Sequence, residues 1–127
     1  FLQVASAFDD FAASLKNAGL SDGAGLARRE ARNIELAGEL LTSVGRTFTA
    51  AEAFERGDDA GLRAIIEAEI EGRIRQQEIS GRIGWGAGVN PILVDEDIQN
   101  MRLYLSRDDF PHTRDDVFHF TATPYSA

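Results

Sequence analysis

The reading of DDAGLRAIIEAEIEGRIRQQEISGR, residues 58–82, decides the fold. Leu62, Ile65, Ile66, Ile70 and Ile74 return at intervals of three and four, the period of one face of an α-helix and not of a strand. Asp58 or Asp59 supplies an N-cap, and the pattern carries to Ile79 or Arg82. Some 22 residues at 1.5 Å each give a helix roughly 33 Å long. Glu67, Glu71, Arg75, Glu78 and Arg82 wind to an outer face, where Glu71 with Arg75 and Glu78 with Arg82 have favourable spacing. Glu69 and Arg73 break the pattern. They fall among the isoleucines, and Gln77 continues their line.

Working upstream, Val4, Phe8, Phe11 and Leu15 mark an amphipathic helix over 1–18, closed by Gly19. Ser21 or Asp22 then caps a second helix over about 23–44. Leu26, Ile34, Ala37, Leu41 and Val44 are expected to face inward there, with Arg28, Arg32, Glu35 and Glu39 outward. Glu30 winds into the middle of that stripe, with Asn33 at its margin. Gly45 is expected to end this helix, Thr47 or Thr49 to cap two further turns around Ala51 and Phe54, and Gly57 to form a loop.

Downstream, SGRIGWGAGVNP, residues 80–91, reads as a joint between helices, and Asn90-Pro91 as a turn. Asp95 opens a last helix with Val94, Ile98, Met101 and Leu105 as its stripe and acidic residues placed well for the helix dipole. The expected fold is therefore all-α: a small helical bundle of three long helices plus one short helix, with an irregular C-terminal tail. Residues 1–106 form the bundle domain, and 107–127 a tail that packs on the bundle or on a partner.

Composition narrows the function. The 127 residues carry 21 acidic and 13 basic side chains, a net charge of -8, and no run of four basic residues, which disfavours nucleic acid and anionic membrane surfaces. The longest apolar run is far short of the ~20 residues a spanning helix needs. Without cysteine, thiolate chemistry, cysteine metal sites and disulfides are excluded. A soluble, acidic protein is expected. Phe1 at the head of the chain fits a processed or partial chain.

The familiar motifs fail in turn. GWGAG, residues 84–88, has Val89 where a dinucleotide loop needs glycine, and follows a helix where that loop follows a strand. His112 and His119 lie outside the helices, so the Glu-x-x-His pairs of di-iron bundles are missing, and no ligand spacing identifies a metal. The run Asp95-Glu96-Asp97 lacks the glycine and glutamate of a calcium loop. No nucleophile elbow occurs. No cofactor or metal is expected, and enzymatic activity stays open.

What departs from a purely structural pattern is the inward charge. Buried charges are costly unless paired, so Glu30, Glu69 and Arg73 either satisfy one another as a Glu-Arg-Glu network or line a polar pocket between helices. In the pocket reading Arg73 binds an anionic or sugar-like ligand, with Glu30 or Glu69 as acid or base. Trp85 either covers the open end of the core or offers its ring at the rim. The leading expectation is non-catalytic: a helical accessory domain or small subunit docking on a larger, enzymatic partner such as a hydrolase, or associating with itself. Helical segments that follow the catalytic barrel of some glycoside hydrolases are an architectural analogy. The candidate contacts are Phe110, Phe118, Phe120 and Tyr125, aromatic residues that a small bundle has little room to bury.

Overall fold

The computed structural model describes residues 1–83 and 91–111. These contain four helices and no strand: α1 (Leu2–Asn17), α2 (Ser21–Glu55), α3 (Asp59–Ile83) and α4 (Pro91–Ser106). The all-α architecture is the expected one. No helix among the described residues is long and apolar enough to cross a membrane.

Two glycines set the topology. At the end of α1, Gly19 adopts φ 81°, and the amides of Gly19 and Leu20 bond back to the carbonyls of Lys16 and Leu15. At the end of α2, Gly57 adopts φ 68°, and the amides of Gly57 and Asp58 bond to Phe54 and Ala53. Both are Schellman turns, which need a left-handed residue that only glycine adopts without a Cβ penalty. Each reverses the chain. Asp58 also caps α3, accepting from the Gly61 amide at 2.9 Å. No side chain caps α2, contrary to the expectation for Ser21 or Asp22.

The boundary expected at Gly45 is absent. α2 runs unbroken through it for 35 residues, about 52 Å at 1.5 Å per residue, so the segment expected as a separate short helix is its last turns. An interior glycine costs a helix only about 1 kcal/mol. Burial of the last turns offsets that cost: Ala50 and Ala53 are fully buried, and Phe54 packs on the same core. Similarly, α4 begins at Pro91 and not at Asp95, since proline fits the first turn of a helix, where its missing N–H has no partner to lose.

Each helix packs on its neighbours in sequence. α2 is the spine, contacting both α1 and α3, while α4 lies on α3, and α1 touches neither α3 nor α4 among the described residues. The α1/α2 seam is built from alanines, with Ala5 and Ala12 against Ala24, Ala27 and Ala31, whose small side chains permit close approach of the two axes. The larger core lies at the other end. Leu36, Leu62, Ile66, Ile70, Ile79, Ile83, Val94, Ile98, Met101 and Tyr104 are buried together between the second half of α2, α3 and α4. The inward stripes expected for α3 and α4 hold, with Tyr104 added.

The stripe expected for α2 does not hold. Leu26 is 71% exposed, Leu41 58% and Val44 42%, and Ala37 and Glu30 are exposed as well. The face that is buried carries Leu36, Leu40, Ser43, Ala50 and Phe54. Winding at ~100° per residue sets the two faces about a third of a turn apart. The stripe expected for α1 holds in part: Val4 is 50% and Phe11 56% exposed, while Phe8 is half-buried and Leu15 packs on the alanine seam.

Candidate functional site

Two features stand out against this frame: a network of charges inside the protein and an apolar face outside it. The network is centred on Glu69 and Arg73, both fully buried one helical turn apart on α3. Arg73 Nε donates to Glu69 Oε1 at 2.7 Å, and Arg73 Nη1 donates to Asp97 Oδ2 of α4 at 3.0 Å. From α2, Ser43 Oγ donates to Glu69 Oε1 at 2.7 Å and Arg46 Nη1 to Glu69 Oε2 at 3.2 Å. Gln76 Nε2 completes the ring by donating to Ser43 Oγ at 2.9 Å. Gly72 leaves room for this, because a Cβ there would collide with the Arg46 guanidinium.

The network therefore bolts α3 to both of its neighbours. Carboxylate oxygens that accept charge-assisted bonds on both sides offset much of the desolvation cost of burial. Asp97 is 37% and Arg46 18% exposed, so water reaches the ends of the network while its centre is dry. Nearby, Gln77 Nε2 donates to Asp95 Oδ1 at 2.7 Å, and Arg75 Nε donates to Glu39 of α2 at 3.1 Å. Arg75 thus turns to another helix and not to Glu71.

Of the expected trio, Glu69 and Arg73 meet and Glu30 does not. Glu30 is exposed on α2, because the stripe it interrupts faces solvent. The residue on the buried line of α3 is Gln76, fully buried, where Gln77 was expected. Ser43, Arg46 and Asp97 were not anticipated. A signal for the first existed: Ser43 lies seven residues from both Leu36 and Ala50, on the second apolar line of α2. Trp85, Phe118, Phe120, Tyr125, His112 and His119 lie outside the described residues.

Ser43→Ala tests the network from α2. It removes the donor to one buried carboxylate oxygen and the acceptor for a buried amide, so a loss of about 1–3 kcal/mol in urea-unfolding stability is expected. Gln76→Met is the milder change. Gln76 Oε1 is buried without a hydrogen-bond partner among the described residues, so the substitution removes that unmet acceptor along with one donor, and about 1 kcal/mol or less is expected.

Phe110 is the tail aromatic that the structure describes, and it packs on its own bundle. Its ring meets Tyr104 edge-on at 5.1 Å between centroids, and the Arg63 guanidinium lies 4.6 Å from its centroid. Arg63 Nη1 also donates to the Leu105 carbonyl at 2.9 Å, which places a cation at the C-terminal end of α4, where the helix dipole favours one.

The outer feature is the apolar face of the α1/α2 hairpin. The Asp9–Arg32 ion pair ties one edge of this hairpin. Helical winding puts Val4, Phe11, Leu26, Leu41, Val44 and Phe48 on the other edge, 42–71% exposed. Six such side chains amount to about 600 Å² of apolar surface, the upper end of what monomers display. Between Leu36 and Ala51 the charged residues are Glu39 and Arg46, and both turn to α3, pairing with Arg75 and Glu69. The exposed face between them carries no charge.

No family model, curated protein or solved structure matches this chain.

Proposed function

We propose that this chain is a non-catalytic helical accessory module, held against another protein through the apolar face of α1 and α2. One observation carries the reading: Val4, Phe11, Leu26, Leu41, Val44 and Phe48 share an exposed face, uncharged between Leu36 and Ala51 and interrupted by Glu30 near Leu26, and an apolar patch of that size marks an interaction surface. The interior supports it from the other side. Arg73, the residue a ligand pocket would rely on, is committed to Glu69 and Asp97, and Glu30 is too far out to join it. The accessory reading extends to a larger, enzymatic partner, with Phe118, Phe120 and Tyr125 of the tail as further contacts.

Native mass measurement of what travels with the full chain tests this. A stoichiometric assembly is expected, and Leu41→Glu with Phe48→Glu should dissolve it while leaving the helical circular dichroism unchanged. An assembly that survives both glutamates, or a chain that is monomeric and alone at every concentration, overturns the reading.

A further inference from the structure

We infer that the partner on this face is an amphipathic helix of another protein that carries lysine or arginine beside its apolar stripe. This rests on the docking reading above and names the chemistry of the occupant. The outward line Ile34, Ala37, Leu41, Val44 and Phe48 advances by three, four, three and four residues, the 3.5-residue repeat whose side chains interlock with those of another helix. An extended segment would need an open strand edge to add to, and the described residues contain no strand. A helix laid along α2 needs only an apolar stripe of its own.

Charge decides what kind of helix fits. Glu30 lies inside the face, four residues from Leu26 on one side and from Ile34 on the other, and Glu52 closes the far end, four residues beyond Phe48. Both side chains are exposed, and no ion pair among the described residues involves either. A partner that covers Leu26 and Ile34 takes water from the Glu30 carboxylate, and a carboxylate so covered is costly unless a cation meets it. α1 and α2 offer none on this side. Arg32 pairs with Asp9 and Glu35, Arg46 with Glu69 and Arg56 with Asp58. Helical winding sets these three, with Arg28 and Arg29, about a quarter turn or more from the midline of the face, and puts Lys16 on the Asp9 edge of α1. A second copy of this chain, whose own face carries the same glutamates, supplies no cation there. The cation comes from a different protein.

Spacing adds the length. Glu30 and Glu52 are some 22 residues apart, roughly 33 Å of helix, so the partner bears a cation near each end of a stripe about six turns long. An exposed ion pair changes affinity only about two- to fivefold. The apolar stripe therefore holds the helix, and the charges select it.

The probe is a synthetic peptide of about 26 residues, long enough to span both glutamates, with leucine at the seam positions, lysine near both ends, and alanine and glutamine elsewhere. Calorimetric titration of the full chain should show one-to-one binding that weakens as salt is raised. The same peptide with glutamate in place of lysine should bind at least about tenfold more weakly, and Glu30→Lys with Glu52→Lys should reverse the preference. Glu67→Lys with Glu71→Lys makes the same change of net charge at exposed positions on the outer face of α3 and should leave the preference as it was. Leu41→Glu should abolish binding of the lysine peptide although it adds a negative charge, which separates docking from general attraction to an acidic protein. Phe48→Glu repeats that test if circular dichroism shows the first variant misfolded. Equal binding of the two peptides, or a preference indifferent to reversal of Glu30 and Glu52, overturns the inference and leaves the docking reading standing. So does failure of both peptides to bind at ~0.5 mM, far above the micromolar range of a specific pair, while the chain forms a Leu41-dependent dimer or binds neutral phosphatidylcholine vesicles: the occupant is then a second copy or a bilayer. Peptide binding that survives both Leu41→Glu and Phe48→Glu removes the inference and the docking reading together.

Discussion

Arg73→Met is expected to destabilise the protein by about 3 kcal/mol, the lower end of the ~3–5 kcal/mol lost when a buried ion pair is deprived of one partner. The methionine fills most of the volume, so the loss is electrostatic. Glu69 stays fully buried and retains Arg46 and Ser43, which is why the lower end applies. Asp97, 37% exposed, is released to water at little cost. Glu69→Leu should be of similar size, since it leaves Arg73 buried with Asp97 alone from this network. The two together should cost less than their sum by about 1–3 kcal/mol, because the second change removes the orphan created by the first. Urea midpoints at unchanged m-value supply the measurement. Strict additivity would show that the two side chains do not act as a pair.

Ile66→Ala is expected to cost about 2–5 kcal/mol, as for other large-to-small changes in a packed core. Ile66 is fully buried in the cluster shared by α2, α3 and α4. The companion change Leu41→Ala, measured at dilution where single chains dominate, should stay within about 0.5 kcal/mol, because an exposed side chain loses little on truncation. Thermal or urea unfolding of both variants makes the comparison. Equal costs would mean that the face of α2 bearing Leu41 is buried within one chain.

That contrast marks where the sequence was legible. The helices of α3 and α4 were readable because each has one apolar stripe, and the stripe is the side that packs. In α2 there are two. The richer one, Leu26 to Val44, is the natural choice for the core, yet the chain buries the poorer one, whose leucines are interrupted by Ser43 and Thr47. Hydrophobicity alone ranks the lines in the wrong order, since Ser43 belongs inside as a donor to Glu69, a partner 26 residues away. Glu30 was misplaced for the same reason: its position was inferred from a stripe that faces water.

Glu69 and Arg73 were legible because their apolar neighbours on α3 leave them nowhere else to go. Their partners were not. Arg46 comes just after a glycine expected to end its helix, and Asp97 sits in an acidic first turn that has a sufficient explanation in the helix dipole. Both depend on how α2 and α4 are set against α3, which no local pattern encodes. Gly45 and Gly57 show the same limit. One is passed through and the other reverses the chain, and the difference lies in the tertiary contacts made by the residues after each.

The spine arrangement also bears on how the protein comes apart. Because α1 reaches only α2 among the described residues, through an alanine seam and the Asp9–Arg32 pair, its release disturbs neither the isoleucine core nor the Glu69 network. Domains open locally in contiguous units, and α1 is such a unit, since its only helix partner among the described residues is α2. α1 is thus a helix whose loss would leave both the core shared by α2, α3 and α4 and the Glu69 network intact.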